Sequence, residues 1–272
     1  MKHVLPYALF EASAAAPAAL TQEQIDWLDK CSFLSTWKLN PQTGLVDING
    51  VFYSHEQGLT DLKGVKFGKV SGDFVCSYNQ LTSLEGAPQS VGGGFQCNKN
   101  QLTSLDGAPQ TVGGTFYCYD NELTSLEGAP RSVGGDFHCG DNQLTSLVGA
   151  PQSVGGNFRC EANELTSLVG APQRVDGSFE CSDNQLTSLE GAPQIIKKSF
   201  NCDGNPISSG TLKAIFALMK KRKPYQQALE EHWPEMSNED RALMYKEMTN
   251  LSPEDVRKYK ALATYNNIKN YL

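Results

Sequence analysis

The chain has 272 residues, of which 39% are hydrophobic and 19% are charged, and its formal net charge is −7. This balance excludes a general nucleic-acid-binding protein, because such proteins need a cationic surface that displaces phosphate counterions. No stretch of the sequence approaches the roughly 20 consecutive apolar residues of a membrane-spanning helix. We therefore expect no double-stranded nucleic acid and no membrane among the partners.

The first 20 residues have some features of a secretory signal peptide. A basic residue, a short apolar run and an alanine-rich segment follow one another, but Pro6 interrupts the apolar run and Glu11 ends it. We expect a cytosolic tail or packing segment here, and a cleaved signal peptide is the alternative.

Residues 1–44 are predicted to form this N-terminal tail and a helical cap of the repeat region. Thr21 and Gln24 have the spacing of a capping box, which predicts a helix that starts at this point and ends near Cys31. Trp37 is predicted to pack on the first coil of the segment that follows.

A period of 21 residues dominates the chain between residues 45 and 209. The unit F-x-C-x-x-N-x-L-T-S-L-x-G-A-P-x-x-V-G-G-x recurs there, and an imperfect unit ahead of it has Phe52 and, in place of cysteine, Ser54. Such a period indicates a solenoid whose coils bury their apolar sides against one another, and we predict about eight coils. The repeated cysteines are Cys76, Cys97, Cys118, Cys139, Cys160, Cys181 and Cys202.

The first half of the unit aligns with L-x-L-x-x-N-x-L, the core of leucine-rich repeats, with Phe and Cys in the first two apolar positions. The chain therefore resembles leucine-rich-repeat proteins over residues 45–209. Its L-T-S-L-x-G-A-P half resembles the short bacterial and bacteriophage type, with one extra residue per unit. The resemblance implies a leucine-rich-repeat solenoid with a parallel β-sheet on the concave face. The Gly-Ala-Pro and Gly-Gly turns predict an irregular or extended convex side.

The repeated polar residues have structural interpretations. Alternate strand residues face opposite sides, so Phe and Cys point inward and the residue between them points to solvent. The Asn amide is predicted to pair with backbone groups of adjacent coils. A straight row of thiols suits neither a tetrahedral zinc site nor disulfides, which predicts reduced, buried cysteines in a reducing compartment.

The period stops after Pro206, and residues 210–272 are predicted to form three or four short helices. Ser252 and Pro253 are typical of a helix start. The basic run at residues 220–223 is interpreted as a helix C-terminus, where the helix dipole favours cations.

The residues that vary between coils are the residue before Phe, the residue between Phe and Cys and the two residues after Cys, all on or beside the exposed face of the sheet. The last three of these positions form three columns. The first column, between Phe and Cys, is Tyr53, Val75, Gln96, Tyr117, His138, Arg159, Glu180 and Asn201. The second column, directly after Cys, is His55, Ser77, Asn98, Tyr119, Gly140, Glu161, Ser182 and Asp203. The third column is Glu56, Tyr78, Lys99, Asp120, Asp141, Ala162, Asp183 and Gly204.

These columns are the predicted binding surface, since the concave face usually holds the partner in leucine-rich-repeat proteins. Tyr and Arg are enriched at interface hot spots, although tyrosines are also common in solvated strands. Residues 72–206 contain 6 basic and 15 acidic side chains, a net charge of −9, which favours a basic partner. The candidate partner-binding residues are Tyr53, Tyr78, Gln96, Tyr117, Tyr119, Asp120, His138, Asp141, Arg159, Glu161 and Glu180.

No motif of a phosphate-binding loop, a zinc protease or a serine hydrolase occurs in the sequence. We expect a non-enzymatic binding protein without a cofactor or metal, phage-like and cytoplasmic, which engages a host or viral protein. The alternative is a sequestering protein that holds a small anionic, nucleotide-like molecule with Tyr117, Tyr119, His138 and Arg159. A third hypothesis is an enzyme whose site, near Asp203 or His232, lies between the last coil and the C-terminal helices.

Overall fold

Each coil of the repeat region contributes one short strand to a front sheet and one to a back sheet. The structure is a computed structural model that describes residues 19–207. The front strands are β3 (Phe52–Tyr53), β5 (Phe74–Val75), β7 (Phe95–Gln96), β9 (Phe116–Tyr117), β11 (Phe137–His138), β13 (Phe158–Arg159), β15 (Phe179–Glu180) and β17 (Phe200–Asn201). The back strands are β1 (Thr36–Leu39), β2 (Val46–Asn49), β4 (Phe67–Val70), β6 (Ser90–Val91), β8 (Thr111–Val112), β10 (Ser132–Val133), β12 (Ser153–Val154), β14 (Arg174–Val175) and β16 (Ile195–Ile196).

The front sheet has eight parallel strands in sequence order, so the described chain is a β-solenoid of about seven turns. Phenylalanine pairs with phenylalanine across each strand boundary, as Phe137 does with Phe116 and Phe158. Phe52 of the imperfect first unit pairs with Phe74. The predicted parallel sheet and its 21-residue register are therefore confirmed.

The back of the solenoid is also an ordered sheet, so the extended alternative of the prediction is found there and the irregular one is not. In most coils, a buried valine and the residue before it form a two-residue strand in the nine-stranded back sheet. Backbone bonds between coils continue beyond these strands, because Gly113 N–H donates to the Val91 carbonyl at 2.9 Å and Gly134 N–H to the Val112 carbonyl at 3.1 Å. Because the extended backbone repeats in every coil, its buried N–H and carbonyl groups are satisfied by hydrogen bonds to the corresponding segment of the neighbouring coils. These bonds form the back sheet.

The core is a column of stacked phenylalanine rings. From Phe52 to Phe200, neighbouring ring centroids lie 5.0 to 5.8 Å apart and the ring planes differ by no more than 16°. Leucine and valine side chains of each coil close the core around the rings and are almost fully buried. Burial of each phenylalanine contributes about 1.5–3 kcal/mol, so the stack carries much of the folding free energy.

The repeated asparagine joins neighbouring coils, as predicted. Asn121 Nδ2 donates to the carbonyls of Cys97 and Cys118 at 3.2 and 3.1 Å. Its Oδ1 accepts the backbone N–H of Leu102 at 3.0 Å. Each buried backbone group left unpaired would cost about 1–3 kcal/mol, so this side chain locks the turn after each front strand.

The repeat cysteines are free thiols, and all but Cys202 are fully buried. Burial raises the pKa of the Cys76 thiol to about 12, and it raises the pKa values of the thiols from Cys97 to Cys181 well above the ordinary range. Within residues 19–207, no group of three or more His, Cys, Asp or Glu side chains is arranged to hold a metal ion.

Helix α1 (Gln22–Cys31) packs against the first coil. The predicted capping box is present, since Thr21 N–H donates to Gln24 Oε1 at 2.9 Å and Gln24 N–H donates to Thr21 Oγ1 at 3.3 Å. The Trp27 ring lies edge-on to Phe52, with their centroids 5.2 Å apart. Trp37 lies in β1 and is partly buried against the same core.

Residues 1–18 of the predicted 20-residue tail and the predicted helices of residues 210–272 lie outside the described residues. In the part of the chain that is described, no helix has the length and apolar character that crossing a membrane requires.

Glycines at one corner of the coil set the distance between coils. Gly107 has a φ of +89°, and a Cβ atom there would lie 2.7 Å from the Leu84 carbonyl oxygen of the preceding coil. Gly86, Gly128, Gly149, Gly170 and Gly191 occupy the equivalent positions, with φ between +84° and +93°. The Gly of Gly-Ala-Pro is therefore required both for its backbone conformation and for close contact between coils.

Candidate functional site

The front face, defined as the outer side of the front sheet with its three columns, carries all the predicted binding residues. In the first column, Tyr117, His138 and Arg159 occupy adjacent strands in register. Tyr53 is 52% exposed, whereas Val75 is only 6% exposed, so this column is not open to solvent along its whole length. Half-buried side chains are present at Gln96, Tyr117, His138, Arg159 and Glu180.

The expectation that the second column is exposed is wrong for Ser77, Asn98 and Gly140, which are buried. Ser77 and Asn98 are 2% and 3% exposed. Larger neighbours pack over such positions, as when His55 Nδ1 lies 3.0 Å from Ser77 Oγ. Tyr119 and Glu161 of this column remain half-buried and available at the surface.

The third column has a backbone constraint that the sequence did not reveal. Its residues adopt the left-handed conformation, with φ of 51° to 58° in seven coils and 70° at Gly204. Asp tolerates this conformation better than most residues, but Tyr78, Lys99 and Ala162 do not favour it. Asp120, Asp141 and Tyr78 are exposed here.

Tyr117, Tyr119, His138 and Glu161 form a central cluster. Tyr119 stacks on His138 with their centroids 4.4 Å apart and an interplanar angle of 27°, and Tyr117 meets the same ring edge-on at 6.1 Å. His138 Nε2 lies 2.9 Å from Glu161 Oε1. The structure thus brings together four of the predicted residues from three successive coils.

The Glu161 carboxylate is held in its ionised form within this cluster. Burial raises its pKa, but the hydrogen bond with His138 and further favourable contacts outweigh burial, so the pKa lies below its ordinary value. Its Oε2 atom is buried without a hydrogen-bond partner. Incompletely satisfied polar groups of this kind are uncommon and call for a functional explanation.

Gly140 makes the central cluster possible, and sequence reasoning missed it. A Cβ atom at this position would lie 2.9 Å from His138 Nε2 and 3.0 Å from the Glu161 carboxyl carbon. Gly140 is not among the glycines with positive φ, so it is needed for space and not for backbone conformation. The available signal was that the second column contains no other glycine.

Arg159, next to the central cluster, is paired with the Glu180 carboxylate. Arg159 Nε lies 3.5 Å from Glu180 Oε2, an ion pair that lacks hydrogen-bond geometry. Because His138 is also engaged by Glu161, both nitrogen-bearing side chains in this region already contact acidic groups.

A second, N-terminal cluster comprises Tyr53, His55, Tyr78, Lys99 and Asp120. His55 lies between the tyrosines, with centroid distances of 5.6 Å to Tyr53 and 4.7 Å to Tyr78. Lys99 Nζ lies 4.9 Å from the Tyr78 ring centroid and 3.5 Å from Asp120 Oδ2. The prediction omitted His55 and Lys99, although both stand in the variable columns.

The two clusters are separate sites on one surface. His55 belongs to the first coil and His138 to the fifth, so the predicted separation of these histidines is confirmed. Gln96 lies between the clusters on β7, and Asp141 is exposed beyond the central cluster. Of the residues proposed for an enzyme, Asp203 is exposed on the last coil, and His232 lies outside the described residues.

Comparison of the chain with models of known protein families found no match, and no curated protein is significantly similar to it in sequence. The repeat and its geometry therefore carry the classification as a β-solenoid with a period of about 21 residues.

Proposed function

We propose that this protein is a non-enzymatic binding protein of the leucine-rich-repeat type, which engages a protein partner with a basic surface through its front face. The resemblance of its repeats to short bacterial and bacteriophage units supports a phage-like origin and a host or viral partner. The free, buried thiols fit a reducing compartment such as the cytoplasm.

The observation that carries this proposal is that variation between coils is greatest on the front face. The first column has seven residue types in eight coils. A column outside the front face is threonine in seven coils, and every copy is exposed: Thr60, Thr82, Thr103, Thr124, Thr145, Thr166 and Thr187. If variation only reflected freedom from packing, the exposed threonines would vary as well. Differences concentrated on one surface therefore favour recognition at that surface.

Charge and aromatic content indicate the kind of partner. The repeats carry a net charge of −9 between residues 72 and 206, from 6 basic and 15 acidic residues. Half-buried tyrosines beside carboxylates suit contact with Lys and Arg side chains of a protein. A small anionic ligand is the weaker candidate, because it would have to compete with Glu161 for His138 and with Glu180 for Arg159.

Affinity capture with the full-length chain tests the proposed face. The front-face variant combines Tyr117→Ala, Tyr119→Ala and Arg159→Ala. The matched control combines Thr103→Ala, Thr124→Ala and Thr145→Ala, which also removes three exposed side chains from neighbouring coils. A separate Gly140→Ala variant disturbs the contact between His138 and Glu161 without removing either side chain.

We expect the front-face variant to lose the proteins that the wild-type chain captures from a candidate host lysate, and Gly140→Ala to weaken their capture. The threonine control should retain them. Retention of every partner by the front-face variant would show that the assignment of the face is wrong. Native mass spectrometry of the wild type covers the alternative, since a co-purifying anionic small molecule would favour sequestration.

A further inference from the structure

Three side chains of the third column form a contact between an aromatic ring, a cation and an anion. Tyr78, Lys99 and Asp120 occupy successive coils and share the same left-handed backbone conformation. The ammonium of Lys99 lies 4.9 Å from the Tyr78 ring centroid, within the range of a cation–π contact, and 3.5 Å from the Asp120 carboxylate. Lys99 is the one cation among the eight residues of this column.

The ring in this contact is held in place but remains open. His55 packs against Tyr78 at 4.7 Å, and the imidazole is fixed in turn by the Ser77 hydroxyl at 3.0 Å. Tyr78 is nevertheless 43% exposed. The hydrogen bond to Tyr78 and the proximity of Asp120 raise the pKa of Lys99, so both neighbours favour its charged form.

We propose that the Tyr78 ring and the Asp120 carboxylate form a subsite for a lysine or arginine side chain of the partner protein, and that Lys99 occupies this subsite in the free protein. The inference rests on the proposed function and specifies the partner's chemistry at one position. Lys99 is suited to leave, because its side chain is 39% exposed and exposed ion pairs contribute little to stability.

The occupant is a basic polypeptide segment and not a free polyamine. The row of acidic groups continues past the subsite with Asp141, and the central cluster adds aromatic contacts on the next coils. At about 4.8 Å per coil, several consecutive side chains of a polypeptide can reach these groups at the same time. Arginine would also find a flat ring to stack on and a carboxylate to bind.

Removal of Lys99 should therefore strengthen binding of a basic segment. Isothermal titration calorimetry with the full-length chain and a short synthetic peptide rich in lysine and arginine, at low ionic strength, measures this effect. Lys99→Met is compared with Lys69→Met, which removes the same charge from an exposed position on back strand β4. The glutamate version of the peptide controls for non-specific binding.

We expect Lys99→Met to bind the basic peptide about fivefold more tightly than Lys69→Met does, the size of one exposed cation–π contact. Adding Tyr78→Leu or Asp120→Asn to Lys99→Met should abolish the gain, and thermal melting shows whether each variant is folded. Equal affinities of the two methionine variants would overturn the inference, and so would binding of spermine as tight as that of the peptide. Either of these results would leave the proposed function intact if affinity capture of the partner still requires Tyr117, Tyr119 and Arg159.

Discussion

At the scale of single residues, the third column combines variable side chains with backbone strain. Its side chains supply Tyr78 and Asp120 to the front face, yet each coil must place this residue in the left-handed region. Glycine adopts that conformation without steric cost, but it would provide no side chain for binding. The presence of non-glycine residues there is consistent with stability being given up for recognition.

The clearest test of this strain is Ala162, whose φ is 51° and whose methyl group makes no hydrogen bond or charge contact. Ala162→Gly should raise the free energy of unfolding by about 1 kcal/mol, because the Cβ atom that opposes the left-handed conformation is removed. Urea denaturation measures the change. Ala162→Ser retains a Cβ atom and should give no such gain, so equal effects of both substitutions would argue against backbone strain.

At the scale of secondary-structure elements, every front strand except β3, which is followed by Ser54, places one thiol beside the phenylalanine stack. Several of these thiols face the next strand, as Cys139 Sγ donates to the Arg159 carbonyl at 3.3 Å. Burial raises the pKa of every one of them, from 9.0 to about 12 at Cys76. The half-buried Cys202 at the last strand is raised less, to about 11.

This row of buried thiols predicts that the free energy of unfolding falls steeply with pH in the alkaline range. In the unfolded chain the thiols ionise near pH 9, whereas in the folded chain they remain protonated, so their contribution is complete below pH 9 and is lost as the pH rises toward 12. Each buried thiol should lower the free energy of unfolding by about 1.4 kcal/mol per pH unit in that window. For the six fully buried thiols from Cys76 to Cys181, the slope should be about 8 kcal/mol per pH unit.

Urea denaturation between pH 9.5 and pH 10.5, where a thiol of the unfolded chain is mostly ionised, checks the slope. Cys118→Ala should reduce it by about 1.4 kcal/mol per pH unit, whatever the substitution does to stability at neutral pH. An unchanged slope in this variant would mean that other groups, such as the tyrosines, control alkaline unfolding.

At the scale of the whole molecule, contacts connect each coil mainly to its immediate neighbours. The phenylalanine stack, the asparagine bonds and both sheets repeat with the same step, so one coil has nearly the same surroundings as the next. The stability of such an array is approximately a sum over coils and the interfaces between them.

Deletion of one complete coil should therefore leave a folded solenoid. Removal of residues 95–115 joins Gly94 to Phe116 and preserves the 21-residue register. We expect a cooperative thermal transition and an unchanged type of circular dichroism spectrum, with lower stability. Removal of residues 95–116 takes away one more residue and exchanges inward and outward positions at the junction, so it should disrupt folding. Similar stability of both deletions would contradict register control.

Much of this architecture could be predicted because packing repeats visibly in the sequence. The periodic Phe, Cys, Leu and Asn identify the inward positions, and each of them is found in the core or in bonds between coils. The back sheet could not be predicted, since a strand of two residues between turn sequences gives no pattern of its own. The left-handed third column was also hidden, because Tyr78 and Lys99 occupy positions where glycine would have revealed the conformation.

The candidate site was predicted as a set of residues and not as contacts. The tyrosines, His138 and Glu161 were identified from their columns, but their grouping depends on side-chain directions and on the empty space at Gly140. Burial of Ser77 and Asn98 likewise depends on what packs over them. These are properties of the folded surface that a list of variable positions does not contain.

The tight corner at Gly107 and its equivalents keeps neighbouring coils at a constant distance. Carbonyl groups of one coil already lie within contact distance of the next coil at this corner, so the distance between coils cannot shrink. Under the proposed function, a partner would therefore meet side chains at an even spacing, and selectivity would depend on the spacing of its own side chains as much as on their identity.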